Sequence, residues 1–231
     1  MKTFQNLSLL KYARINAEGV AAIQRGDIVP FRGFGNSLKR RFLAAFTFAP
    51  FSVEELERRV LSPIAEIARA SYGEFFLAGR DFTPHATILE GKWEGTDEAG
   101  RERAFLGVVE DSRMGDMAWR EDLLMPSCVF FRFLLVNAGN ILLTCGEIPP
   151  AVFAARKMFA TIYAEYGLAP FAMDPILHIT LGRMTKLPDR ERLGEYLMRV
   201  RELRRNISRK PLALATSLFV GSTHDFIHRA P

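Results

Sequence analysis

Only two cysteines and four histidines stand among the 231 residues. Cys128 and Cys145 make neither a disulfide framework nor a metal cage, and both sit in apolar, strand-like text where free cysteine serves as a small core residue. A reducing, cytoplasmic compartment is expected. Long apolar runs are also missing. The longest stretch, from Val129 to Cys145, is interrupted by Arg132, Asn137 and Asn140 and falls short of the roughly 20 apolar residues a bilayer requires, so no membrane span is expected. The first residues, broken by Lys11, Arg14 and Glu18, lack a secretory apolar region, and the chain is expected to begin at Met1. With 48% hydrophobic and 25% charged residues, the composition excludes disorder and fibrous repeats and suits one large domain or two small ones.

The net charge of +5 is concentrated late in the chain, where ten Lys and Arg face four acids between Arg183 and Lys210. A localised basic field favours a polyanionic partner such as RNA, and a solvated helix face is the competing reading.

Patterning divides the remainder into two similar halves. Arg41 to Phe48 reads as a buried strand, and Ser52-Val53-Glu54-Glu55 reads as a capping box opening a helix over 53–71 that Pro63 should kink or divide. Strands at Glu74 to Leu77 and Ala86 to Leu89 follow. In the second half, Val129 to Val136 and Ile141 to Cys145 flank the hairpin signal Asn137-Ala138-Gly139-Asn140. Pro149-Pro150 then opens a helix with a stripe of Val152, Ala155, Phe159, Ile162 and Tyr166, ending at Gly167, before a strand from Ile176 to Leu181. Both halves therefore read strand, Pro, helix and a strand carrying His-x-Thr, with 35 positions from Pro50 to His85 and 28 from Pro150 to His178. A third helix begins near Pro188 with Leu193, Leu197, Val200 and Leu203 inward, and Leu212 to Val220 reads as a last strand. Residues 1–38, an amphipathic helix over 7–24 and a Gly/Pro-rich connector, are expected to be a packed arm on a single domain over 39–231.

The chemistry concentrates in His85-Ala86-Thr87-Ile88 and His178-Ile179-Thr180-Leu181. On a strand, i and i+2 share a face, so each motif presents one imidazole beside one hydroxyl and buries the alternate residues. Imidazole titrates near neutrality, so two of them facing one cavity can act as base and acid in one turnover. Zinc would need a third protein ligand, which no His-x-x-x-His, Cys-x-x-Cys or carboxylate cluster beside the motifs supplies, so neither a metal nor a cofactor is expected.

Paired His-x-Thr-x motifs, the strand-helix-strand text before each, and Arg183 completing His-x-Thr-x-x-Arg resemble the two-histidine (2H) phosphoesterase superfamily, which includes the 2'-5' RNA ligase-like proteins and cyclic phosphodiesterases. The resemblance covers residues 40–221. It implies an α+β, bilobal fold in which two antiparallel sheets, related by a pseudo-two-fold, carry helices on their outer faces and frame a central groove. It also implies metal-independent chemistry on 2',3'-cyclic or 2'-5'-linked phosphates of RNA ends or small nucleotides. His85 and His178 would then be the acid-base pair, Thr87 and Thr180 would donate hydrogen bonds to nonbridging oxygens, and Arg183 would bind substrate phosphate. Residues 1–38 have no counterpart in that pattern, and Glu90 departs from it by setting an acid where a neutral or positive neighbour would suit phosphate. The expected protein is a monomeric hydrolase, and the alternative is a nucleotide- or RNA-binding protein with the same groove and no significant turnover.

Other features carry less. Gly33-Phe34-Gly35-Asn36-Ser37-Leu38 lacks the third glycine of a dinucleotide fingerprint and reads as a turn. His224-Asp225 and His228 read as exposed terminal polar residues. Phe31, Phe34, Phe82, Trp93 and Trp119 are the aromatic candidates for stacking a base.

Overall fold

The computed structural model describes residues 2–71, 73–124, 128–171 and 176–227; His228 and the side chain of Trp119 lie outside the described residues. Helix α1 (Lys2–Arg25) precedes strand β1 (Arg41–Phe48), followed by α2 (Pro50–Leu56), a wide π turn over Glu57–Leu61 and α3 (Ser62–Ala70). The wide turn lies where Pro63 lacks an N–H and its ring would strike the carbonyl four residues back, so the sequence-expected kink takes the form of one loosened turn. The capping box does not form. Pro50 occupies the first turn and starts the helix early, leaving Ser52 buried within it, where Oγ accepts from the Ala215 N–H at 2.9 Å.

Strands β2 (Glu74–Leu77) and β3 (Ala86–Trp93) complete the first half; α4 (Glu98–Glu110) and α5 (Met117–Leu124) lead to the hairpin β4 (Cys128–Asn137) and β5 (Asn140–Cys145). Its turn uses positive φ at Ala138 (41°) and Gly139 (93°), the geometry that matches strand twist. Then come α6 (Pro150–Glu165), β6 (Leu168–Pro170), β7 (His178–Lys186), α7 (Leu193–Arg209), β8 (Leu212–Ser222) and α8 (Thr223–Ile227).

The fold is α+β with an antiparallel sheet. The expectation of two separate sheets needs correction: the eight strands are linked in the order β2-β7-β5-β4-β8-β1-β3-β6, and β3 also meets β7. The join arises because β8 pairs along β1 and also with β4, from Cys128↔Ala215 to Phe131↔Leu212. Helix α1 packs on the sheet. Asn16 accepts from the Val136 N–H at 3.1 Å, Tyr12 Oη donates to the Cys145 carbonyl at 3.1 Å, and Gly19 lies so close to Val136 that a Cβ would stand 2.2 Å from its carbonyl oxygen. No helix among the described residues is long and apolar enough to cross a membrane.

Candidate active site

His178 and Thr180 lie on β7, Thr87 lies on β3 with His85 in the residue just before that strand, and the two strands touch through one bridge, Ala86↔Ile179. The bridge falls between the His and the Thr of each motif, so the two motifs lie side by side on one face. Ala86 and Ile179 are fully buried behind that face, as the alternation requires. His85, Thr87, His178, Thr180 and Arg183 all line one cavity of about 250 Å³.

Beyond each threonine the alternation slips. Ala45 pairs with Thr87 and Ala44 with Leu89, so Ile88 is an extra residue on β3; Leu142 pairs with Thr180 and Ile141 with Gly182, so Leu181 is the extra residue on β7. A β-bulge reverses the facing of every residue beyond it. The burial patterns agree: each strand has two consecutive buried residues at the bulge and a half-buried charge next, Glu90 on β3 and Arg183 on β7. Strict alternation from His178 and Thr180 would have turned Arg183 away. The bulge returns it to the cavity, and an equivalent bulge returns Glu90.

The charges are arranged around these residues. Arg41, at the start of β1, pairs with Glu90 through Nη1 at 3.4 Å from both carboxylate oxygens, and its guanidinium lies 4.9 Å from the Phe171 ring centroid. Burial raises the Glu90 carboxyl above its ordinary range, against the pull of Arg41 and Arg183. Arg183 sits 5.0 Å from the ring centroid of Phe31 and 5.3 Å from that of Phe34. The Nε atoms of Arg41 and Arg183 are buried with no hydrogen-bond partner among the described residues.

His85 is held more tightly than sequence could indicate. Its Nδ1 lies 2.8 Å from the Thr83 carbonyl, and a carbonyl only accepts, so Nδ1 carries the proton and Nε2 keeps its lone pair. The ring also packs edge-on against Phe226 at 5.0 Å. Burial pushes its pKa below the usual histidine value; the Thr83 bond opposes that shift and the charge of Arg183 adds to it, so the neutral ring is favoured.

Arg156 was hidden by the apolar stripe of α6. It is 4% exposed, and it donates from Nε to the Ile88 carbonyl and from Nη2 to the Ile176 carbonyl, both at 2.8 Å. One side chain thus joins the first motif's bulge to the residue two before His178. A signal was present: position 156 is four residues after Val152, squarely on the inward face, where a charge is out of place.

Of the aromatic candidates, Phe34 and Phe82 line the cavity, packed with Phe31 and Phe76 and with Phe76 and Phe82 stacked at 5.2 Å, while Trp93 closes over Gly95 and Gly167. The basic helix does not border the cavity. Arg201 and Arg204 line a separate groove with Asn16 and Gln24 of α1, because the inward Val200 and Leu203 seat α7 behind the sheet. His224 lies 3.3 Å from Asp225 on the surface, away from the histidine pair. Among the described residues no group of three His, Cys, Asp or Glu could hold a metal ion.

No protein-family model and no curated protein matches the chain. Among solved structures it is similar to a conserved protein of unknown function from Agrobacterium tumefaciens, with 9% identity and a TM-score of 0.51 over 88% of this chain and 93% of that one. It is also similar to Usb1 from Kluyveromyces marxianus (14% identity, TM-score 0.41, 80% and 99% covered) and to the PDE domain of MHV ns2 (13%, 0.42, 64% and 86%). At this identity the likeness is one of fold, and chemistry has to be argued from the residues of this chain.

Proposed function

We propose that this chain is a two-histidine phosphodiesterase that hydrolyses 2',3'-cyclic phosphates, or 2'-5' linkages, of RNA ends or small nucleotides without a metal. The observation that carries the reading is the meeting of His85, Thr87, His178 and Thr180 on one cavity from two separately paired strands. A pseudo-two-fold between the halves is part of it. Exchanging β1 with β5, β2 with β6, β3 with β7 and β4 with β8 leaves the set of pairings unchanged, and this supports the reading.

In the proposed step His85, neutral and proton-bearing at Nδ1, takes a proton at Nε2 from water as its oxygen bonds to phosphorus. His178 as imidazolium gives its proton to the departing ribose oxygen as the P–O bond breaks. Thr87 and Thr180 donate to the nonbridging oxygens, whose charge grows in the transition state, and Arg183 adds a cation beside them.

Hydrolysis of 2',3'-cyclic nucleotides in excess chelator is the direct test, with loss of activity restored by a divalent ion as the contrary result. The pH profile of kcat/KM is expected to be bell-shaped. Its acidic limb should lie below the ordinary histidine value of 6.5, because the base must be deprotonated and burial favours that form. Arg183→Gln should move this limb upward, since it removes a positive charge that disfavours imidazolium.

The arginines of α7 give a separate prediction. Replacing Arg201, Arg204 and Arg205 together by Gln should leave the Michaelis constant of a cyclic mononucleotide within about twofold, as exposed charges contribute little at a distance. A salt-dependent rise confined to cyclic-ended oligonucleotides would mark α7 as a track for RNA beyond the site.

A further inference from the structure

We propose that Glu90, together with Phe171 and Arg41, forms a nucleobase subsite that selects guanine. The inference rests on the proposed function, because it places a base next to the reacting phosphate. It starts from an electrostatic oddity: Glu90 and Arg183 occupy the same position after equivalent bulges, three residues beyond Thr87 and Thr180, so one cavity sets a carboxylate on β3 against a guanidinium on β7. A phosphate is drawn to Arg183 and repelled by Glu90. Glu90 therefore suits a part of the ligand that carries hydrogen-bond donors.

Its present partner leaves it room to do so. Arg41 Nη1 reaches both carboxylate oxygens only at 3.4 Å, a long, shared contact that uses little of the four lone-pair positions a carboxylate offers. Phe171 lies beside it: its backbone N–H donates to the Glu90 carbonyl at 2.7 Å, and the residue is 41% exposed on the cavity rim, whereas Phe34 and Phe82 line the cavity packed against other rings. Proteins read unpaired bases by stacking on such a ring and hydrogen bonding to the Watson–Crick edge. From Thr87 to Glu90 the strand advances three residues, about 10 Å, which is the reach of a nucleoside from its phosphate. Of the four RNA bases, guanine has two adjacent donors on that edge, N1–H and the N2 amino group, and so matches both oxygens of one carboxylate.

The experiment compares all four 2',3'-cyclic mononucleotides with wild type, Glu90→Gln and Phe171→Ala, and measures binding of the four nucleoside 3'-monophosphates by calorimetry. Wild type should favour guanosine in kcat/KM and in binding by about tenfold or more. Glu90→Gln presents one acceptor and one donor, so it should lose that preference and gain on adenosine and cytidine relative to guanosine. Phe171→Ala should weaken all four bases to a similar degree. Equal use of the four bases by wild type, or an unchanged order in Glu90→Gln, overturns the subsite while leaving the phosphodiesterase reading intact. Guanosine-selective binding that Glu90→Gln abolishes, without hydrolysis of any substrate, would support the subsite and reject turnover. Neither binding nor hydrolysis of any nucleotide rejects both.

Discussion

His85→Ala and His178→Ala are each expected to leave a folded protein whose turnover of 2',3'-cyclic phosphates falls at least ~100-fold, the lower end of what a positioned acid or base contributes. The fall should appear in kcat more than in KM, because the phosphate contacts proposed for Thr87, Thr180 and Arg183 survive either change. The double variant should be little worse than the singles, since the two imidazoles serve one proton-transfer cycle and losing either breaks it. Stability should change modestly in His85→Ala, which gives up one backbone hydrogen bond to Thr83 and the edge contact with Phe226. Steady-state kinetics in chelator with parallel thermal melts would check this. Wild-type rates in either variant would remove paired-histidine catalysis from consideration.

The two motifs were legible because alternation on a strand is a local property: His and Thr two apart share a face whatever packs around them. The sheet reads more poorly beyond the threonines. A bulge is set by the partner strand, here β1 opposite Ile88 and β5 opposite Leu181, so the facing of Glu90 and Arg183 depends on residues over 40 positions away in sequence. Arg41 and Phe171 were missed for a similar reason: nothing nearby in the chain marks them, and only the pairings of β1 and β6 with β3 bring them to the rim. Charge alone did not say where α7 packs: the helix buries Tyr196, Val200, Leu203 and Ile207 against the molecule, and none of its residues lines the cavity. The capping box failed because a competing start signal, Pro50, lay two residues upstream.

Arg156→Met is expected to damage both stability and turnover, through a route distinct from the histidine variants. Methionine keeps much of the volume and the apolar stem, so the loss isolates the guanidinium. Without it the Ile88 and Ile176 carbonyls lose their bonds from Arg156, and an unpaired buried carbonyl costs about 1–3 kcal/mol. Relief from burying a charge offsets part of this, leaving a net loss on the order of 2–3 kcal/mol. For a chain of this size that corresponds to a melting temperature lower by roughly 5–10 °C. Because the two carbonyls belong to the Ile88 bulge and to the approach to His178, the variant should also let the motif strands shift relative to each other. A displacement of about 1 Å in reacting groups can cost on the order of 100-fold, so kcat should drop well below wild type at temperatures where the variant remains fully folded, with KM much less affected. Arg156→Lys can reach one carbonyl and not both, and should recover stability more than rate. If Arg156→Met lowers the melting temperature while kcat stays at the wild-type value, Arg156 is a core residue that happens to lie beneath the site and does not position its strands.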